Sequence, residues 1–292
     1  MTTIGSPLLW SAFAALVVVA LLVDLVLMRH GGPHKVTFKE AVFWSIGWIG
    51  LALAFNAGLW WYISQEAGEV VGNRVALEFL TGYLVEKALA VDNIFVFLMV
   101  FTYFSVPAEF QKRVLMIGIL GALAMRAVMI LLGAALITKF AWIIYLFGGF
   151  LVLTGLKMIF KREEEIHPER NPVVRLFKRW MPVTGDYRAD RFFVRENGIL
   201  MATPLFVVLL LVEFTDLVFA VDSIPAIFAV TKDPFIVYTS NVFAILGLRS
   251  LYFALAGLIH RFHYLKLALA IVLMVVGVKM MIAKWLKALL GE

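Results

Sequence analysis

The sequence contains no cysteine, which excludes disulfides, thiolate metal sites and cysteine nucleophiles and leaves the redox compartment unmarked. Charge is also scarce: only 16% of residues are charged, against about a quarter in soluble domains. No G-x-x-x-x-G-K-[ST] loop occurs, so a nucleotide-driven pump is excluded. Alternating apolar and polar stretches are missing too, which excludes a membrane β-barrel. What fills the 292 residues is hydrophobic: 63% of the chain, with a mean hydropathy of +0.94. Apolar runs of about 20 residues recur, the length a helix needs to cross a bilayer. Lipid offers no partner to backbone groups, so these runs must be helices. The expected fold is an all-α, polytopic membrane helix bundle.

Eight spans are predicted, at 8–28, 41–62, 76–104, 114–137, 140–160, 199–231, 235–259 and 265–288. The third and sixth exceed the length of a simple crossing, and Pro225 predicts a break inside the sixth. Residues 1–7 lack the basic start of a cleavable signal, so the first helix is expected to be retained. Lys and Arg crowd alternate loops: Arg29, Lys35 and Lys39, then Lys112 and Arg113, then the connector 161–198, then Arg261 and Lys266. These loops are expected in the cytoplasm and both termini outside, against a weak pull from Lys284 and Lys287. The net charge of +6 follows from those loops, so it does not indicate nucleic acid. Within the connector, Arg175 to Trp180 reads either as a basic amphipathic helix on the membrane surface or as solvated linker. The five histidines, His30, His34, His167, His260 and His263, fall in loops or at span ends and read as solvated.

The chain also matches itself. Ala90-Val91-Asp92-Asn93-Ile94 in the third span answers Ala220-Val221-Asp222-Ser223-Ile224 in the sixth, with Glu86 opposite Asp216. Arg126 answers Arg249, and Gly155-Leu156-Lys157-Met158 answers Gly277-Val278-Lys279-Met280. A duplicated three-helix unit explains the conserved order. An odd number of helices inverts the second copy, so residues 76–160 and 199–290 are predicted to form two inverted repeats within one membrane domain, 1–292. Residues 1–62 add two helices outside them. Transporters of this plan place their sites near the midplane, where the repeats meet.

Five carboxylates, Glu86, Asp92, Glu213, Asp216 and Asp222, lie in apolar runs, where each costs about 2.5 to 3.5 kcal/mol at a helix centre. Glu86 and Asp92 fall about 120° apart on a continuous helix, as do Asp216 and Asp222, while Glu213 and Asp216 share a face. Pro225 would free the Val221 carbonyl. Asn93 and Ser223 add neutral oxygens. Such oxygens suit a hard cation, Mg²⁺, Ca²⁺ or Mn²⁺, as substrate. The structural alternative is that the acids pair with Arg126 and Arg249 and fix helix register; two arginines cannot balance five carboxylates. The arginines would alternatively act as mobile counterions of an empty site. Asp24 and Asn56 either line the same path or pack helices. Neither a catalytic constellation nor a cofactor motif is present, so the expectation is a carrier and not an enzyme, with the bilayer, the cation and possible membrane proteins as partners.

These residues resemble the TerC family of membrane proteins. The resemblance rests on Asp24, the Trp-Ser-x-x-Trp-Ile-x-Leu-Ala-Leu-x-Phe-Asn stretch from Trp44 to Asn56, Glu86 with Leu89 and Asp92-Asn93, and Glu213-Phe214-Thr215-Asp216 leading to Ala220-Val221-Asp222-Ser223-Ile224-Pro225. It covers nearly the whole chain. It implies Mn²⁺ export from an inner-membrane, multi-pass protein, a choice of ion that spacing and composition leave open. It also implies a rival role, as scaffold or assembly factor in a tellurite-resistance or protein-secretion complex.

Overall fold

The computed structural model describes residues 3–30, 37–140, 142–160, 172–196 and 198–256, with positions 270, 271, 274, 275, 277, 278, 281 and 282. The eighth expected span, the histidines His34, His167, His260 and His263, and the second Gly-x-Lys-Met copy fall largely outside them. The chain is mostly helical: α1 (Pro7–His30), α2 (Phe38–Ala67), α3 (Glu69–Tyr103), α4 (Ala108–Lys139), α5 (Ile143–Phe160), α6 (Pro172–Trp180), α7 (Pro204–Phe228), α8 (Pro234–Ile245) and α9 (Leu248–Ala256). Among the described residues, four helices are long and apolar enough to cross a membrane: Pro7–Asp24, Phe38–Ala67, Ala108–Ile137 and Pro204–Phe228. The bent pair α8 and α9 makes a fifth if counted as one span. Helix α3 is longer than any of these but carries more charge along its length, including Glu86 and Lys87.

Local chemistry sets most boundaries. Thr37 caps α2 by accepting the Glu40 N–H at 3.3 Å, which satisfies one of the helix's orphan donors. Where a loop was expected between the second and third spans, the chain turns on Gly68 alone. Its φ of +89° lies in the region that only glycine enters freely. The turn is tight enough that a Cβ on Gly72 would meet Ser64 Oγ at 2.0 Å, and Trp60 Nε1 donates across it to Asn73 Oδ1 at 2.7 Å. The third span therefore begins at Glu69, not at residue 76.

Three further expectations are corrected. Residues 199–202 are not helical; Ile199–Ala202 forms strand β2, antiparallel to β1 (Phe193–Glu196). Gly198 turns the hairpin at φ +81°, and Pro204 then starts α7 at a position where its missing N–H costs nothing. Helix α7 does not break at Pro225 but runs on to Phe228. Pro225 sits in the last turn, so only one interior hydrogen bond is lost. The break falls instead in the seventh span, between α8 and α9, which meet at 41°. Gly247 makes it, at φ +80°, with no room for a Cβ because Trp48 lies 2.6 Å from where one would sit.

Helix α3 packs against α2, α7 and α8, while α4 packs against α7 and α8. Helix α8 is buried along nearly its whole length, from Phe235 to Ile245. Apolar side chains cover the outside, among them Leu131, Leu132 and Leu153, as a bundle bathed in lipid requires.

Candidate functional site

Arg126 of α4 is fully buried, at 0% exposure, where α3, α4, α7 and α8 converge. Its guanidinium holds Asp216 of α7 with two donors, Nε to Oδ2 at 3.4 Å and Nη2 to Oδ1 at 3.2 Å. Its Nη1 pairs with Glu86 Oε1 of α3 and also faces Asn241 Oδ1 at 3.2 Å and Ser223 Oγ at 3.3 Å. Two protons on Nη1 thus meet three acceptors, so this corner is oversupplied with oxygen. Glu86 Oε2, Asn241 Nδ2 and Tyr83 Oη are buried with no partner among the described residues. If both acids are ionised, the cluster keeps one negative charge beyond what Arg126 balances. A buried charge left over in this way is costly.

Glu213 stands one helical turn before Asp216. Its carboxylate fills the space that Gly121 leaves on α4: a Cβ there would lie 2.0 Å from Oε1. Glu213 makes no ion pair among the described residues. A narrow cavity reaches Asp216 between Phe97, Leu115, Gly118, Val212 and Leu248. Asp216 is the acidic group on its wall, and Leu248 flanks the helix break.

Of the residues singled out from the sequence, Glu86, Arg126, Asp216 and Ser223 come together, and Glu213 lies a turn away. Asn93 is buried but stands outside the hydrogen bonds of Arg126. The side chains of Asp92 and Asp222 lie outside the described residues. Arg249 does not join Arg126; it pairs with Asp24 of α1, and its Nη1 is buried without a partner among the described residues. Asn56 belongs to α2, and its Oδ1 is likewise unpartnered. Among the described residues no three His, Asp or Glu side chains converge as a metal cluster.

Asn241, a member of the site, and Lys87, which follows Glu86 in the chain, escaped the sequence reading. Asn241 was signalled by the run Thr239-Ser240-Asn241, three polar residues inside an apolar span, all fully buried. Lys87 was hidden beside Glu86, yet adjacent helix residues do not face each other, and its Nζ donates to the Ala244 carbonyl at 3.1 Å.

Comparison with known proteins agrees with this membrane architecture. Residues 71–290 match the model of "Integral membrane protein TerC family". The "Putative membrane-bound redox modulator Alx" of Shigella flexneri is 54% identical over 282 residues, 97% of this chain and 88% of that protein. The protein of the same name from Escherichia coli (strain K12) is 54% identical over the same shares. "Uncharacterized membrane protein STKORF319" of Myxococcus xanthus is 52% identical over 285 residues, 98% of this chain and 86% of that one. No solved structure matches.

Proposed function

The chain belongs to the TerC family of integral membrane proteins, and on that premise we propose that it exports a divalent metal cation, Mn²⁺ by family resemblance, across the inner membrane. The observation that carries this reading is the meeting of Glu86 and Asp216 on one buried guanidinium. These two acids occupy matched positions in the internal sequence repeat, yet they approach Arg126 from different helices. That is what two inverted units closing on a central site would produce. The packing has the same reciprocity: α3 lies on α8 as α7 lies on α4, and α3 also meets α7 as α4 meets α8.

Arg126 stands where a cation would. Glu86, Asp216, Glu213, Asn241 Oδ1 and Ser223 Oγ are hard oxygen donors, suited to Mn²⁺, Mg²⁺ or Ca²⁺. The incoming ion takes over the carboxylates as Arg126 withdraws, and the empty carrier returns with Arg126 back in place, so neither state leaves the acids bare. Asp92, Asp222 and Asn93 belong to the same path. The cavity beside Asp216 is the route from the side that the basic loops mark as cytoplasmic. Exchange for protons follows from the surplus of carboxylates; uptake into vesicles that stayed unchanged after collapse of the pH gradient would argue against it. The protein acts as a carrier and not as an enzyme, and it requires no resident cofactor.

The relatives are named redox modulators, but thiol chemistry is closed to this chain, which has no cysteine. A redox effect would run through the transported ion or through a partner. The assembly-factor alternative differs in what it tolerates. Cellular manganese, magnesium and calcium, measured under manganese load in cells making the protein or its Asp216→Asn form, separate the two. Export requires that manganese alone fall and that Asp216→Asn abolish the fall at equal membrane levels; unchanged cation content supports assembly.

A further inference from the structure

Helix α6 and the β-hairpin dock at the point where α7 begins. Phe177 of α6 and Phe193 of β1 both pack on Phe206, with ring centroids 5.2 Å and 4.4 Å away. Phe206 lies two residues into α7, a membrane-spanning candidate, so α6 is held at the height of the lipid headgroups. Val174 turns inward and is buried. One turn apart on another side of α6, Leu176 is 58% exposed and Trp180 84% exposed. Arg175, Lys178 and Arg179 occupy the remaining arc and make no ion pair among the described residues. The hairpin repeats the pattern: Arg195 stands opposite Leu200 in the strand register, and Leu200 is also exposed.

Two of the described acids of this segment, Asp190 and Glu196, are engaged elsewhere. Asp190 pairs with Arg113, and Glu196 takes Arg188 at 2.8 Å. The positive charge of α6 therefore faces outward beside an exposed tryptophan, at the depth where tryptophan prefers to sit. Apolar residues flanked by Lys and Arg, held level with a bilayer surface, match an anionic leaflet in both shape and charge.

We infer that α6 and the hairpin tip form an interfacial foot that binds anionic phospholipid headgroups, with Leu176 and Trp180 in the acyl boundary and Arg175, Lys178 and Arg179 along the phosphates. The foot fixes the entry of α7, the helix that carries Glu213 and Asp216. This surface is independent of the identity of the transported ion.

The absence of cysteine makes the test direct. The full chain carrying Leu176→Cys, labelled with a nitroxide, is placed in nanodiscs of phosphatidylcholine alone or mixed with phosphatidylglycerol, and accessibility to oxygen and to a water-soluble nickel chelate is read. A lipid-facing label at Leu153→Cys serves as the control for correct insertion. The expected result is a several-fold fall in nickel accessibility at position 176 in the anionic discs. That protection should be lost in high salt and in the combined Arg175→Gln, Lys178→Gln and Arg179→Gln variant, with the label at position 153 unchanged. Equal nickel accessibility in both lipids overturns the proposal. So does protection seen in native membranes but absent from discs of the same lipids, which would assign the surface to a protein.

Discussion

The ammonium of Lys87 donates to the carbonyl of Ala244 across 3.1 Å, joining α3 to the break between α8 and α9. In an unbroken helix that carbonyl would accept from residue 248. The turn at Gly247 removes the donor, and the lysine takes its place. A cation here also faces the C-terminal end of α8, where the helix dipole favours positive charge.

Replacing Lys87 with Met should therefore leave a buried carbonyl unsatisfied and cost about 1 to 3 kcal/mol. A lowered melting temperature of the purified protein in detergent is the expected outcome, with Lys87→Arg closer to the parent. An unchanged melting temperature for Lys87→Met would mean that the contact adds nothing to the break.

Gly247→Ala meets two penalties at once. A left-handed backbone costs a non-glycine residue roughly 1 to 2 kcal/mol, and the new methyl would lie 2.6 Å from Trp48 Cδ1. Thermal unfolding should fall well below that of Gly50→Ala, since nothing stands within 4 Å of a Cβ at Gly50. Equal melting temperatures for the two variants would contradict a glycine-dependent break.

Arg126→Ala strips the guanidinium that Glu86 and Asp216 share and leaves two buried acids without their cation, a loss of about 3 to 5 kcal/mol. If an imported charge replaces Arg126 during transport, Mn²⁺ should raise the melting temperature of this variant more than that of the parent. A loss that no divalent ion repairs would favour a purely structural ion pair.

Gly121→Val should displace the Glu213 carboxylate, which lies within 2.0 Å of the added Cβ. Because the carboxylate is the flexible end of a side chain, the fold should survive; if the proposed export runs past Glu213, cellular manganese under load should rise as it does with Glu213→Gln. Full export by a well-expressed Gly121→Val protein would remove Glu213 from the path.

Much of this molecule was legible in its sequence. The cost of placing charge in lipid makes Glu86, Arg126, Glu213 and Asp216 conspicuous in any apolar run. Four of the expected spans are, among the described residues, helices long and apolar enough to cross a membrane. Boundaries were less legible, because β2 and the start of α7 are both apolar, and hydropathy does not distinguish a strand from a helix over four residues. Lys87 and Asn241 were passed over for a related reason: a polar residue beside a stronger signal takes its apparent role from that neighbour.

The sequence by itself determined the solvent and the helical class, since a chain this apolar must satisfy its backbone within helices. It also determined which side chains need a compensating partner. Only the tertiary structure decided who those partners are. Arg126 and Arg249 answer each other when the sequence is compared with itself, yet one reaches Glu86 and Asp216 while the other is taken by Asp24 of α1. The break likewise belongs to Gly247 and not Pro225: a proline in the last turn forfeits one hydrogen bond, whereas a glycine beneath Trp48 lets the backbone enter a region closed to other residues. Pairing and breakage depend on which helices touch, and residues distant in sequence make those contacts.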